Sequence, residues 1–189
     1  MNPGIQADTR ADTRAGMAPL PAALGGDATL LTAWRIDAER FAASWDSGLG
    51  AERFGGRWNP KGLRVVYCSL DPATCLVEVA VHRGFEVLDT QPHVLTALQL
   101  SPAAVHLVSP EAVPNPAWLQ AGWPSAGQQR WGGELLMAHG ALVLPSVVSR
   151  ASWNLLFAPD HLPAPARAGL RLLAQQRLVV DPRLNPPAA

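Results

Sequence analysis

The sequence predicts a single α+β domain, and three observations carry that prediction. Apolar runs with the two-residue period of strands and runs with helical period follow one another irregularly, without the strict alternation of a doubly wound parallel sheet. At 189 residues with 48% hydrophobic composition the chain has the length of one domain and enough apolar mass to pack it. Third, residues 1–28 form a separate zone in which Ala7-Asp8-Thr9-Arg10 is repeated at once as Ala11-Asp12-Thr13-Arg14. With no periodic apolar face, this zone is expected to be a disordered or loosely held tail, which leaves residues 29–189 as the folded domain.

Residues 30–36 read as the first strand, after which Asp37 is positioned to cap a short helix to about residue 45. Residues 48–56 form a loop into a glycine-rich turn, Gly55-Gly56-Arg57-Trp58-Asn59-Pro60-Lys61-Gly62. The run 64–69 has the pattern of a buried strand, and Asp71-Pro72 supplies an N-cap and an N1 proline for a helix over 73–82. Further strands are expected at 93–100 and 105–108. The segment 109–124, with four prolines and two tryptophans, is expected to be irregular. A helix at 127–139 would turn Leu135, Leu136 and Met137 inward, with Gly132-Gly133 weakening it by roughly 1 kcal/mol per glycine. Residues 141–148 and 154–157 read as strands, 164–176 as helix on propensity alone, and 178–180 as a last strand. That makes six or seven short strands and three or four helices.

Composition removes several classes of function. Fifteen basic residues balance fifteen acidic ones, so no global field draws the chain to nucleic acid or an anionic membrane. Cys68 and Cys75 have neither a metal spacing nor the count of a disulfide framework, and the five histidines are scattered, so no metal site is expected. No apolar run reaches the roughly 18 residues of a membrane span, and the first residues lack the apolar core of a signal peptide; a cytoplasmic protein is expected. Neither a Gly-x-Gly-x-x-Gly nor a phosphate-loop signature occurs, which disfavours a redox dehydrogenase or an NTPase.

Two features carry chemistry. The glycine-rich turn presents an Arg, a Trp, an Asn and a Lys on backbone suited to close approach, which is the character of a ligand grip. Glu78 is the one acid inside an otherwise apolar helix, and burial of an unpaired carboxylate is costly. It needs either a cation, for which Arg35 and Arg57 are the candidates, or a catalytic task.

Arg57, Tyr67 and Glu78, with Trp34-Arg35-Ile36 upstream and Pro145-Ser146-Val147-Val148 downstream, resemble the RES-domain family, named for an Arg, a Glu and a Ser. The similarity runs from about Trp34 to Leu184 and takes in Asn154, the Ala158-Pro159-Asp160-His161 segment and Asp181-Pro182-Arg183-Leu184. The resemblance implies an ADP-ribosyltransferase-like fold, with a mixed or antiparallel sheet core and a few flanking helices, and suggests extended pieces within 164–176. It implies the toxin of a toxin–antitoxin pair that consumes NAD as substrate rather than as cofactor, and a cognate antitoxin protein covering the cleft.

On that reading Glu78 holds the ribose and stabilises an oxocarbenium-like cation as nicotinamide departs. Arg35 and Arg57 supply bidentate donors to the diphosphate. Tyr67 stacks on nicotinamide. Ser146 lines the pocket and orients ribose or Glu78, and Asn154 closes one wall. Each has a plainer alternative: a stabilising ion pair for Glu78 and its arginines, a solvated loop for Arg57, a core ring for Tyr67, a backbone-bonded hydroxyl for Ser146, and a strand-end cap for Asn154. Lys61 and His161 are expected to be exposed, and His82, one turn after Glu78, to sit at a helix end. Water, phosphate or a protein side chain could receive the ADP-ribose; a protein acceptor would make the chain an ADP-ribosyltransferase. A rival of another class is a catalytically idle module that docks a partner through Trp118, Trp123 and Trp131.

Overall fold

In a computed structural model the described residues are 30–184, apart from 121 and 123. The expected N-terminal tail therefore lies outside the described residues. Seven strands form one mixed sheet: β1 Leu31–Ala38, β2 Val66–Ser69, β3 His93–Leu100, β4 His106–Leu107, β5 Ala141–Pro145, β6 Trp153–Phe157 and β7 Arg171–Arg177. Their order is β4-β5-β6-β2-β1-β3-β7, with β4 and β5 parallel and every other pair antiparallel. The α+β expectation and the mixed sheet hold. The helices are α1 Leu49–Phe54, α2 Pro72–Arg83, α3 Phe85–Thr90, α4 Ala126–His139 and α5 Ala164–Gly169.

Register defines the faces. Trp34 lies opposite Ser69, Ser69 opposite Asn154, and Asn154 opposite Leu144, so these four make one row across the sheet on a single face. That face carries two apolar clusters, one around Trp34, Ile36, Cys75 and Leu88, the other around Trp58, Trp118, Leu136, Leu144 and Leu156. The alternate residues Leu31, Ala33, Val66, Cys68, Leu155 and Phe157 build the third cluster, which alternation puts on the opposite face. Strand β1 pairs with β3 along its whole length but meets β2 at one register position only. The sheet is thus nearly split between β1 and β2.

Several sequence expectations are corrected. Asp37 caps no helix: it is the seventh residue of β1, and its side chain turns back to Arg35. Residues 39–44 form a 3₁₀ helix, and the expected loop at 48–56 contains α1. Helix α2 begins as foreseen, with Asp71 accepting from the Thr74 N–H at 2.7 Å, but it is buried on one face only, leaving Val77 and Val81 exposed. Helix α3 was not expected. Strand β5 stops at Pro145, so Ser146 follows the strand rather than lying in it. The segment 164–176, open between helix on propensity and extended pieces on the resemblance, holds both, α5 and most of β7, whereas the strand expected at 178–180 is not found there. β7 is exposed along its length because it is the edge strand on β3, and such a strand carries no apolar alternation for a sequence reading to find.

The Gly132-Gly133 pair does more than weaken α4. A Cβ on Gly132 would collide with the Trp58 carbonyl, and one on Gly133 would stand 3.0 Å from Pro60 Cδ. The two glycines let α4 lie directly on the glycine-rich turn. Leu136 is fully buried, whereas Met137 points outward.

Candidate functional site

Helix α2, which supplies Cys75 and Ala80 to the Trp34 cluster, brings Glu78 to Ser146 just after β5 and to Asn154 on β6. Glu78 Oε1 accepts from Ser146 Oγ at 2.7 Å and from Asn154 Nδ2 at 2.7 Å. Its second oxygen, Oε2, lies 3.6 Å from His82 Nε2, one helical turn along. The carboxylate side chain is 19% exposed, with Oε1 held by Ser146 and Asn154 and Oε2 on the side of His82.

A further set of contacts fixes the donors. Ser146, fully buried, accepts at Oγ from the N–H groups of Val148 and Ser149, which directs its own hydrogen toward Glu78. Ser69 Oγ donates to Asn154 Oδ1 at 2.8 Å, which turns the amide nitrogen to Glu78. Burial alone would push the Glu78 carboxyl upward, but the neighbouring His82 and the hydrogen bonds from Asn154 and Ser146 outweigh it and hold the group below the ordinary glutamate range. Glu78 is a fixed anion, partly open to solvent.

The glycine-rich turn is locked from inside. Asn59 donates from Nδ2 to the carbonyls of Ala51, Pro60 and Leu63, while Tyr67 donates its hydroxyl to Asn59 Oδ1 at 2.7 Å and accepts from the Trp58 N–H. A Cβ on Gly56 would overlap the Tyr67 hydroxyl. Tyr67 therefore spends its hydroxyl on holding the turn, and burial pushes its ionisation well above the ordinary tyrosine value. The ring belongs partly to the Trp58 cluster, half-buried at its edge.

The two arginines have separate surroundings. Arg57 projects from the turn and donates to the carbonyls of Trp118, Gln120 and Gly122 at 3.2–3.5 Å, tying down the irregular segment. Desolvation by burial lowers its guanidinium, offset in part by the negative charge of Glu78. Arg35 forms a two-pronged pair with Asp37 at 2.6 and 2.7 Å and donates to the Tyr67 carbonyl at 3.0 Å across the gap between β1 and β2. Strand alternation puts it on the face opposite Trp34 and Asn154. Neither arginine is bonded to Glu78, so the ion-pair account of that carboxylate does not hold among the described residues.

The structure thus gathers Glu78, Ser146 and Asn154 into one hydrogen-bonded group, puts Arg57 on the glycine-rich turn with Tyr67 bracing it, and keeps Arg35 between β1 and β2. Ser69 belongs to the group and was missed, since a lone serine at a strand end carries no pattern. Lys61 and His161 are exposed. Trp118 is buried and packs on Trp58 with ring centroids 5.9 Å apart, and Trp131 packs on the same ring at 6.0 Å. These two tryptophans build the core beneath the turn rather than a docking surface, and Trp123 lies outside the described residues. Cys68 and Cys75 are buried and unpaired; burial pushes Cys68 to about 12, so neither is a nucleophile at neutral pH. Among the described residues no cluster of His, Cys, Asp and Glu could hold a metal, and no helix is long and apolar enough to cross a membrane.

Comparison with known proteins bears on the family and the fold. The family model for the RES domain matches residues 32–181. A curated relative from a Sphingobium strain, the Prs ADP-ribosylating toxin, is 30% identical over 159 residues, 80% of this chain and 94% of its own length. A protein named Toxin Res from Yersinia enterocolitica is 29% identical over 68% of this chain and 84% of its own. Among solved structures, a chain of the M. tuberculosis MbcT–MbcA toxin–antitoxin complex has the same fold, with a TM-score of 0.65 at 24% identity over 82% of this chain and 86% of that one.

Proposed function

This chain belongs to the RES-domain family, and from that premise we propose that it is a toxin that binds NAD in the cleft beside Glu78 and breaks the nicotinamide–ribose bond. The observation that carries the reading is the anchoring of Glu78: Oε1 is held by Ser146 and Asn154, while Oε2 has only the exposed His82 at 3.6 Å beside it. Departure of nicotinamide leaves positive charge on the ribose, and a fixed anion beside the sugar is stronger in that state than in the ground state. Oε2 accepts from a ribose hydroxyl and faces the developing cation. Nicotinamide leaves as a neutral molecule from a cationic precursor, so no general acid is required. Ser146 and Asn154 keep the carboxylate oriented and ionised, and Arg57 supplies a cation for the phosphate end of the substrate.

Water or inorganic phosphate as acceptor would deplete NAD. A second reading, transfer of ADP-ribose to a protein side chain, is favoured by the name of the Sphingobium relative, an ADP-ribosylating toxin. Both readings share the same bond cleavage. A cognate antitoxin that covers the cleft is part of the proposal, supported by the toxin names of the relatives and by the toxin–antitoxin complex that shares the fold. The test is to incubate purified chain with NAD and follow nicotinamide release with and without phosphate, together with ADP-ribose labelling of added protein. Phosphate-independent loss of NAD indicates hydrolysis, phosphate-dependent loss phosphorolysis, and labelling transfer. No nicotinamide release under any of these conditions refutes the proposal.

A further inference from the structure

Arg57 owes the direction of its side chain to the two peptide groups beside it. Peptide groups are planar, so a residue whose neighbouring peptides are both pinned keeps little freedom in its own backbone angles. The Gly56 carbonyl, in the peptide before Arg57, accepts from Gln129 Nε2 at 2.8 Å. The Trp58 N–H, in the peptide after it, donates to the Tyr67 hydroxyl at 3.1 Å. One pin comes from α4 and the other from β2. A third bond, from the Gly56 N–H to the Asn59 carbonyl at 3.0 Å, closes the turn on itself.

Gln129 stands on the face of α4 that meets the turn. Gly132, Gly133 and Leu136 follow it at the spacing of a single helical face. The two glycines lie against Trp58 and Pro60, and Leu136 is buried in the Trp58 cluster. A Cβ on Gly55 would stand 3.5 Å from Gln129 Nε2, so the amide lies along the glycine pair as well. Desolvation does not demand its bond to Gly56. Both residues are half-buried, and water can serve that carbonyl once the side chain is gone. The guanidinium's own contacts, at 3.2–3.5 Å to three loop carbonyls, are long, so its place depends on the backbone beneath it. We propose that Gln129 is a positioning residue for the substrate: it acts through Arg57, whose backbone it holds so that the guanidinium meets the phosphate end. Its bearing on substrate rests on the NAD reading above; its hold on Arg57 does not.

The experiment compares the full native chain with Gln129→Met, which keeps the length and the helix propensity of glutamine but has no donor. Gln129→Ala is the second variant and serves if the first fails to fold. Kinetics with NAD are measured for these, for Arg57→Ala and for the double variant Arg57→Ala/Gln129→Met. Amide hydrogen exchange is followed at Gly56 and Trp58, whose N–H groups are bonded within the turn. KM is expected to rise by roughly three- to tenfold, the size of one neutral hydrogen bond. The kcat should hold, because the phosphate end is bound alike in the ground state and the transition state. On the Arg57→Ala background the effect of Gln129→Met on KM should vanish. Exchange in the turn should quicken while the melting temperature stays native. An equal rise in KM with and without Arg57 overturns the proposal, since Gln129 would then act on the substrate or on the fold at large. Unchanged KM in a folded variant overturns it too, as does a fall in kcat at native KM. If the native chain releases no nicotinamide, the NAD reading fails and the exchange arm decides the hold on Arg57: faster exchange sustains it, and unaltered exchange overturns it.

Discussion

Ser69 Oγ donates to Asn154 Oδ1 at 2.8 Å, and through that bond a serine with no contact to Glu78 decides which end of the Asn154 amide the carboxylate meets. Ser69→Ala is predicted to free the amide to turn, presenting its oxygen to Glu78 part of the time and repelling it. Turnover should fall by roughly three- to tenfold, the size of one neutral hydrogen bond lost, while Ser69→Thr recovers most of it. Kinetics of the three proteins check this; equal turnover in the alanine variant would make Ser69 irrelevant to the site.

Ser146→Ala removes one of the donors that offset burial at Glu78. Glu78 is held below the ordinary glutamate range, near 4.3, so the acid limb of NAD consumption in the native protein should lie below that value. In Ser146→Ala the limb should move upward. The stability linkage has the same sign: a carboxylate depressed in the folded state stabilises the fold above the unfolded value and loses that contribution as pH falls through the folded one. A pH–rate profile of both proteins is the measurement, and coincident acid limbs would contradict the prediction.

Arg35 and Arg57 should separate in their effects. Arg35→Ala leaves Asp37, 8% exposed, without its partner, and is predicted to cost about 1–3 kcal/mol, less than the roughly 3–5 of a fully buried pair because the Arg35 side chain is 24% exposed. Arg57→Ala should leave melting closer to native and weaken NAD binding, with Arg57→Lys a poor rescue because the forked donor is lost. Calorimetric melting and NAD titration of each variant decide it. A large fall in NAD affinity for Arg35→Ala at unchanged melting temperature would restore Arg35 to the site.

Gly132→Ala offers a test of sign. Helix propensity alone predicts stabilisation of about 1 kcal/mol. The contact with the Trp58 carbonyl predicts the opposite, a net loss of about 1–3 kcal/mol as α4 is forced off the turn. Denaturant melts give the sign directly, and a more stable variant would mean that α4 does not rest on the turn.

Much of the site was legible because its signals are local. Glu78 stood out as one acid in an apolar helix, and the glycine-rich turn stood out by composition. Asp71-Pro72 announced the helix that carries the carboxylate. The misses depend on tertiary contact or on neighbours in another strand. Asp37 reads as a helix cap until the strand continues through it, when spacing of two puts its carboxylate on the side of Arg35. Gly132 reads as a weak point until Trp58 is found against it. Ser69 meets Asn154 only because β2 pairs with β6, 85 residues apart in sequence. Periodicity missed strand β7, which only the family resemblance hinted at, because an edge strand exposed along its length has no apolar period.

The most direct test of the account is nicotinamide release from NAD by the native chain and by Glu78→Gln. The amide keeps the shape and can still accept from Ser146 and Asn154 at Oε1, but it removes the charge that would face the ribosyl cation. A native melting temperature with turnover reduced by roughly 100-fold or more, the scale of losing one electrostatic stabiliser, is the predicted result. Near-native turnover by Glu78→Gln would contradict the account, leaving Glu78 as a structural carboxylate.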